Sequence, residues 1–205
     1  MRSIAKSSRE TEYESVILSY MEVADGGCFV DVGAHIGIHT KRMALKGISV
    51  YAFEPNPIVY KTLCKKVEGL PNVKVFECAL GDRATEAVFY IHGEQPASGF
   101  GSLHNIYDRK NVDKIRVQVK TLDSFSFENV GLIKVDTEGN EFNILKGSVE
   151  TLRKQKPRLI LEVHEPLYEN ARLITNLLLG LGYKKVEHVC KANRDQFFIV
   201  AGGVS

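Results

Sequence analysis

The stretch FVDVGAHIGIHT, Phe29 to Thr40, decides the fold. With Cys28 it begins as a run rich in Val and Phe that stops at a glycine, the pattern of a strand buried on both faces. A helix follows from about Ile36 to Lys46 and is closed by Gly47. A glycine loop between such a strand and a helix lets a ligand approach the backbone, and the helix N-terminus presents unpaired N–H groups to it.

Downstream, the same alternation repeats. Ser49 to Phe53 reads as a second strand, Pro57 to Lys66 as a second helix and Val73 to Cys78 as a third strand. This βαβαβ order is half of a doubly wound parallel sheet. Between Thr85 and Thr121 the pattern changes to short alternating segments, EAVFYIH and RVQVKTL, separated by the Gly/Ser stretch Ser98 to Ser102. An antiparallel insertion with a loop is expected there, and the glycines suit a lid over a substrate, with Phe100 as its cover. The βα rhythm resumes with GLIKVD, a helix from about Glu141 to Lys154, the strand RLILEVH and a helix from Pro166 to about Leu181. Val186 to Val189 and Phe197 to Val200 close the chain as a hairpin. Upstream, Thr11 and Glu14 form a capping box that opens an amphipathic helix through Tyr13, Val16, Ile17 and Tyr20, ending near Asp25. The expected organisation is one α/β domain over residues 1–205, with a helical segment at 1–25 and the insertion at 85–121.

A chain of 205 residues suits a single core, and 44% hydrophobic with 25% charged residues is a soluble composition. The longest apolar runs fall far short of the roughly 20 residues that span a bilayer. No signal-peptide core follows the basic residues Arg2, Lys6 and Arg9, so a cytoplasmic location is expected. Cys28, Cys64, Cys78 and Cys190 show no metal-ligand rhythm and read as reduced thiols. The net charge of +2 gives no steering toward nucleic acid.

The dinucleotide fingerprint GxGxxG uses its middle glycine to make room for a pyrophosphate. Here Ala34 and His35 stand between Gly33 and Gly37, which disfavours that ligand. Glu54 ends the second strand, where a carboxylate accepts hydrogen bonds from both hydroxyls of a ribose. An acid at each strand end, Asp31 and Glu54, suits a ligand with an ammonium and a ribose but no phosphate.

Four stretches together resemble the FkbM-type methyltransferases, in that family's order: FVDVGAHIGIHT at Phe29 to Thr40, YAFEPNP at Tyr51 to Pro57, VKTLDSF at Val119 to Phe125, and IKVDTEGNEFNILKG at Ile133 to Gly147. The last is the most specific, and the resemblance covers roughly residues 26–165. It implies a Rossmann-like class I methyltransferase: a mostly parallel seven-stranded sheet, last strand antiparallel, helices on both faces, using S-adenosyl-L-methionine. Carried over by position, Asp31, Gly33, Ala34, Gly37 and Glu54 touch the cofactor, Cys78 and Ala79 flank its adenine, and Asp136 sits beside the sulfonium methyl. The family usually has Asn where this chain has His35.

Asp136, Glu138 and Glu141 crowd the turn after the fourth strand, and mutual repulsion there favours a base among them. Glu138 and Glu141 equally suit a cap on the next helix. His164 ends the neighbouring strand at the same rim and is the preferred general base, with Glu162 two residues earlier. His35 and His39 share a helix start, but no third ligand stands near, so no metal site is expected. Arg109, Lys110, Lys114 and Arg116 read as a solvated face. The expected acceptor is a small molecule or saccharide hydroxyl. The alternatives are an RNA or protein methyltransferase, against which the missing basic stripe weighs, and a nicotinamide-nucleotide-binding protein of similar fold.

Overall fold

The computed structural model describes residue 21 and residues 26–92, 100–104, 112–164, 168–190 and 196–202. The N-terminal helix expected before residue 25 lies outside them. Strand β1 (Cys28–Val32) is buried along its whole length. It pairs in parallel with β2 (Val50–Phe53) on one side. On its other side runs the parallel strand that follows the insertion, Val130–Val135.

Numbered in chain order, the elements between are α1 (Ile38–Leu45), α2 (Pro57–Lys66), β3 (Val73–Phe76), β4 (Ala79–Leu80), β5 (Thr85–His92), β6 (Phe100–Ser102) and β7 (Asp113–Lys120), so Val130–Val135 is β8. After it come α3 (Glu141–Lys146), α4 (Val149–Gln155), β9 (Arg158–His164), α5 (Tyr168–Gly180), β10 (Lys185–Cys190) and β11 (Gln196–Gly202). The main sheet has seven strands in the order β3-β2-β1-β8-β9-β11-β10. Its last strand, β11, is antiparallel to both neighbours, as expected. The order reverses at β1, whose successors run outward on one side and β8 and β9 on the other, so the C-terminal ends of β1 and β8 form the switch point at which open α/β sheets hold ligands in a crevice.

Strand alternation divides the core between two faces. Phe29, Val50, Leu132 and Ile160 pack with Met43 and Ala44 of α1, and Ala52 packs with Leu63 of α2. Val30, Val32, Ile133, Val135, Leu159 and Leu161 meet Ile144, Leu145, Leu152, Ile174 and Leu178 from α3, α4 and α5. Helices therefore cover both faces.

Three expectations change. The third strand stops at Phe76, because Ala79 and Leu80 leave it to pair with Val119 and Lys120 in a second sheet, ordered β4-β7-β5-β6. The Gly/Ser stretch is not all loop, since Phe100–Ser102 pairs antiparallel with Tyr90 to His92. The helix expected from Glu141 to Lys154 is two helices. At the break, Gly147 lies against the backbone of Gly81, where a Cβ would stand 2.0 Å from the Gly81 carbonyl oxygen. Asp123, from the VKTLDSF stretch, then receives the N–H groups of Glu150 and Thr151 and starts α4 afresh.

Candidate active site

The glycine loop is held from below by two residues of β2 and its end. Gly33 and Ala34 both donate their N–H to the Phe53 carbonyl, at 3.1 and 3.0 Å. Glu54, 6% exposed, accepts the His35 N–H at 3.0 Å on Oε2 and the Asn56 N–H at 2.9 Å on Oε1. His35 sits at φ 51°, in the left-handed region where Asn, Asp and His are the tolerated non-glycine residues. The usual Asn and the His found here thus meet the same backbone requirement. Burial, helped by Lys134 and Lys66 against Asp136, keeps the His35 ring below the ordinary histidine pKa, so it is neutral near pH 7.

Burial also pushes the Glu54 carboxyl up to about 7, with Asp31 adding to it while the two backbone donors and Lys134 pull the other way. Between pH 4.5, its ordinary value, and about 7, the folded chain holds a proton that the unfolded chain has released. This residue's contribution therefore favours folding at acid pH and is lost as pH rises through about 7. A ligand that donates two hydroxyls to Glu54 needs the carboxylate. Calorimetry should therefore find S-adenosylhomocysteine bound about tenfold more tightly at about pH 8 than at about pH 6. A flat profile would detach the ligand from Glu54.

Beneath the loop lies a chain of charge. Asp31 is fully buried, and its Oδ2 accepts the Thr40 hydroxyl at 2.6 Å. Across the β1–β8 register from it stands Lys134, 4% exposed, with Nζ 3.7 Å from Asp31 Oδ1 and 3.3 Å from Asp136 Oδ2. Burial opposes the ammonium, but Asp136, Asp31 and Glu162 outweigh it and push its pKa up to about 12. Asp136 is the outermost member, its side chain 30% exposed at the rim of the crevice.

The turn after Asp136 is built by Glu141. Its Oε1 accepts the Thr137 N–H and hydroxyl and the Gly139 N–H, so this carboxylate holds the turn at the head of α3. Glu138 takes φ 54° there, and its carbonyl accepts the hydroxyl of the fully buried Ser102 at 2.6 Å. Asn140 donates its amide to the Leu80 carbonyl at 2.9 Å. The second sheet is thereby fastened to the turn of the main one.

Gly37 precedes α1, and Cys78 and Ala79 are buried beyond the end of β3. His164 is the last residue of β9, which runs three residues past the Val135↔Leu161 pair that ends β8, so its backbone lies at the same rim as Asp136. Asp31, Asp136 and the glycine loop are brought together at the ends of β1 and β8. Lys134, Thr40 and Ser102 were not foreseen. A lysine inside the apolar run LIKV was the available signal for the first. No group of three or more His, Cys, Asp or Glu among the described residues could hold a metal ion. Among those residues, too, no helix is long and apolar enough to cross a membrane.

The acceptors present suit the ribose of S-adenosylmethionine: each Glu54 oxygen keeps a lone pair beside the one its backbone donor uses.

The family model of the methyltransferase FkbM domain matches residues 31–185. The hexuronic acid methyltransferase AglP of Haloferax volcanii is 26% identical over 195 residues, covering 92% of this chain and 76% of its own length. The 2-O-methyltransferase NoeI of Sinorhizobium fredii is 25% identical over 170 residues, covering 75% of this chain and 70% of its own. In three dimensions the chain is similar to a crystal structure of methyltransferase FkbM from Methylobacillus flagellatus KT, at TM-score 0.61 and 19% identity, over 88% of this chain. The match spans only 44% of that protein's length. With the class I sheet, the loop held by Glu54 and the DTEGNE turn in place, this chain belongs to the FkbM methyltransferase family and is an S-adenosylmethionine-dependent methyltransferase.

Proposed function

We propose that the enzyme methylates a hydroxyl of a saccharide or other small molecule. The observation that carries this reading is the partly exposed Asp136 between the glycine loop and the DTEGNE turn. The names of two relatives, a hexuronic acid methyltransferase and a 2-O-methyltransferase, support the acceptor class.

When bound, S-adenosylmethionine supplies an electrophilic methyl group on a sulfonium. In this reading Gly33, Ala34 and Gly37 form the floor under it, Glu54 accepts the ribose hydroxyls, and Cys78 and Ala79 flank the adenine. Asp31, read from the sequence as a cofactor contact, has no exposed surface and in this reading acts from below, through Lys134. Asp136 orients the acceptor hydroxyl in line with the methyl, with Glu138 in the same turn. His164 accepts the hydroxyl proton as the oxygen–methyl bond forms. The free thiols Cys28, Cys64 and Cys78 agree with a reducing, cytoplasmic setting.

A mass-spectrometric screen of cell extract with isotope-labelled S-adenosylmethionine should find saccharide or small-molecule products heavier by one labelled methyl group. Label appearing only in RNA or protein would overturn the acceptor class. Tight NADH binding, with no response to S-adenosylmethionine or S-adenosylhomocysteine, would overturn the cofactor. For the base, His164→Ala should lower turnover by about a hundredfold or more while cofactor affinity holds. Unchanged turnover would remove His164 from the chemistry.

A further inference from the structure

Lys134 is an anomaly in its strand. Its neighbours Leu132, Ile133 and Val135 are all buried apolar residues, and its own side chain is 5% exposed. An ammonium in such a place costs several kcal/mol unless it is paired, and a well-packed apolar residue is often at least as stabilising as the pair. A fold that only needed to fill this space has cheaper side chains available. The arrangement of partners points elsewhere.

Lys134 and Asp136 are two residues apart on one strand, so they share a face, and Asp31 is directly across from Lys134 on β1. Asp31 has no exposed surface, and among the described residues its Oδ1 has no hydrogen-bond partner, with the ammonium at 3.7 Å. Its other oxygen is fixed by Thr40. Lys134 is therefore anchored from inside by a carboxylate that cannot move. Its shorter contact, 3.3 Å, is to the carboxylate that reaches the rim. Near it also lie Glu162 of β9, Glu54 at the end of β2, His39 of α1 and His35 of the loop.

We propose that Lys134 is a positioning residue for methyl transfer: anchored on Asp31, it fixes the direction of the Asp136 carboxylate, so that Asp136 orients the acceptor and does not take its proton. This rests on the methyltransferase reading above and deepens it, because it leaves the proton to another group at the rim. Lys134 itself touches neither acceptor nor cofactor. Its effect passes through Asp136.

A double-mutant cycle tests this, with Lys134→Met, Asp136→Asn and the two combined. The rate is the initial transfer of label from S-adenosylmethionine, at saturating cofactor, to the small-molecule acceptors of a cell extract. S-adenosylhomocysteine affinity is measured beside it by calorimetry. Lys134→Met should slow transfer by about a hundredfold, the scale of a slight misplacement at a reacting centre, with the dissociation constant within about threefold of the parent. The combined variant should be no slower than Asp136→Asn alone, because the two residues act as one unit.

A rate for Lys134→Met within about threefold of the parent would overturn the proposal, as would S-adenosylhomocysteine binding lost in step with the rate. Should Lys134→Met not fold, the combined variant, which removes one charge of each sign, still decides. A further hundredfold loss beyond Asp136→Asn alone would mean that Lys134 does not act through Asp136. Failure of the methyltransferase reading looks different, since the parent protein itself would then show no S-adenosylhomocysteine binding.

Discussion

A Gly33→Ala variant is expected to melt far below the parent and to bind no measurable S-adenosylhomocysteine. Gly33 lies at φ 73°, where an L-residue costs roughly 1–2 kcal/mol on backbone grounds alone. The larger effect is steric. An added Cβ would stand 1.9 Å from the carbonyl oxygen of Asp136 and 3.3 Å from Thr137 Cγ2. Neither partner can withdraw freely, because the Asp136 N–H donates to the Val32 carbonyl at 3.1 Å and Thr137 is tied to the buried Glu141. Relief must come from separating the ends of β1 and β8, the two strands that define the crevice. Against a net stability of about 5–15 kcal/mol, such a displacement removes a large fraction. Thermal unfolding followed by circular dichroism, with calorimetric titration beside it, checks both halves. A midpoint within about 2 °C of the parent would show that the strands part easily there.

For Glu54→Ala the expectation is different in kind: cofactor affinity should fall by well over about tenfold, with a much smaller change in stability. In the proposed reading the variant loses both acceptors for the ribose. It also strands the N–H groups of His35 and Asn56, at about 1–3 kcal/mol for each that stays unpaired, and so loosens the loop. Opposing this, it removes a carboxylate whose ionisation burial disfavours, a relief that grows above pH 7. The two effects on folding oppose one another, whereas both effects on the ligand have the same sign. Calorimetry with S-adenosylhomocysteine and a thermal melt, each at about pH 8, separate them. An unchanged dissociation constant would take Glu54 out of the site.

What could be read in the sequence was whatever short-range chemistry dictates. Helix α2 begins and ends where expected because its start is local: Asn56 accepts the Ile58 N–H at 3.0 Å, and Pro57 takes the first helical position. β9 likewise matches the apolar run RLILEVH. Local patterns fail where a distant segment intervenes. Nothing near Gly147 announces that the backbone of Gly81 will press on it, and nothing near Cys78 announces that Val119 will draw Ala79 into another sheet.

The site divides in the same way. Asp31, Gly33, Glu54 and Asp136 stand out in the motifs as candidates, but their relations come from sheet register. Asp31 and Lys134 are 103 positions apart and become opposite only when β8 inserts beside β1. Glu141 was a candidate base as readily as a cap, and its three donors from the turn show it holding the backbone. His35, unexplained as a side chain, is explained by the φ that its peptide adopts.

The fastening of the second sheet bears on how that sheet can be exchanged between relatives. Ser102, Leu80, Gly81 and Asp82 each touch the other unit through a partner in the segment from Glu138 to Gly147: the Glu138 carbonyl, the Asn140 amide, the Gly147 backbone and the Lys146 ammonium. A graft of residues 79–121 alone would arrive without those four counterparts. A chimera that moves residues 79–121 together with 137–147 keeps every one of them, so those are the seams along which this enzyme can be recombined.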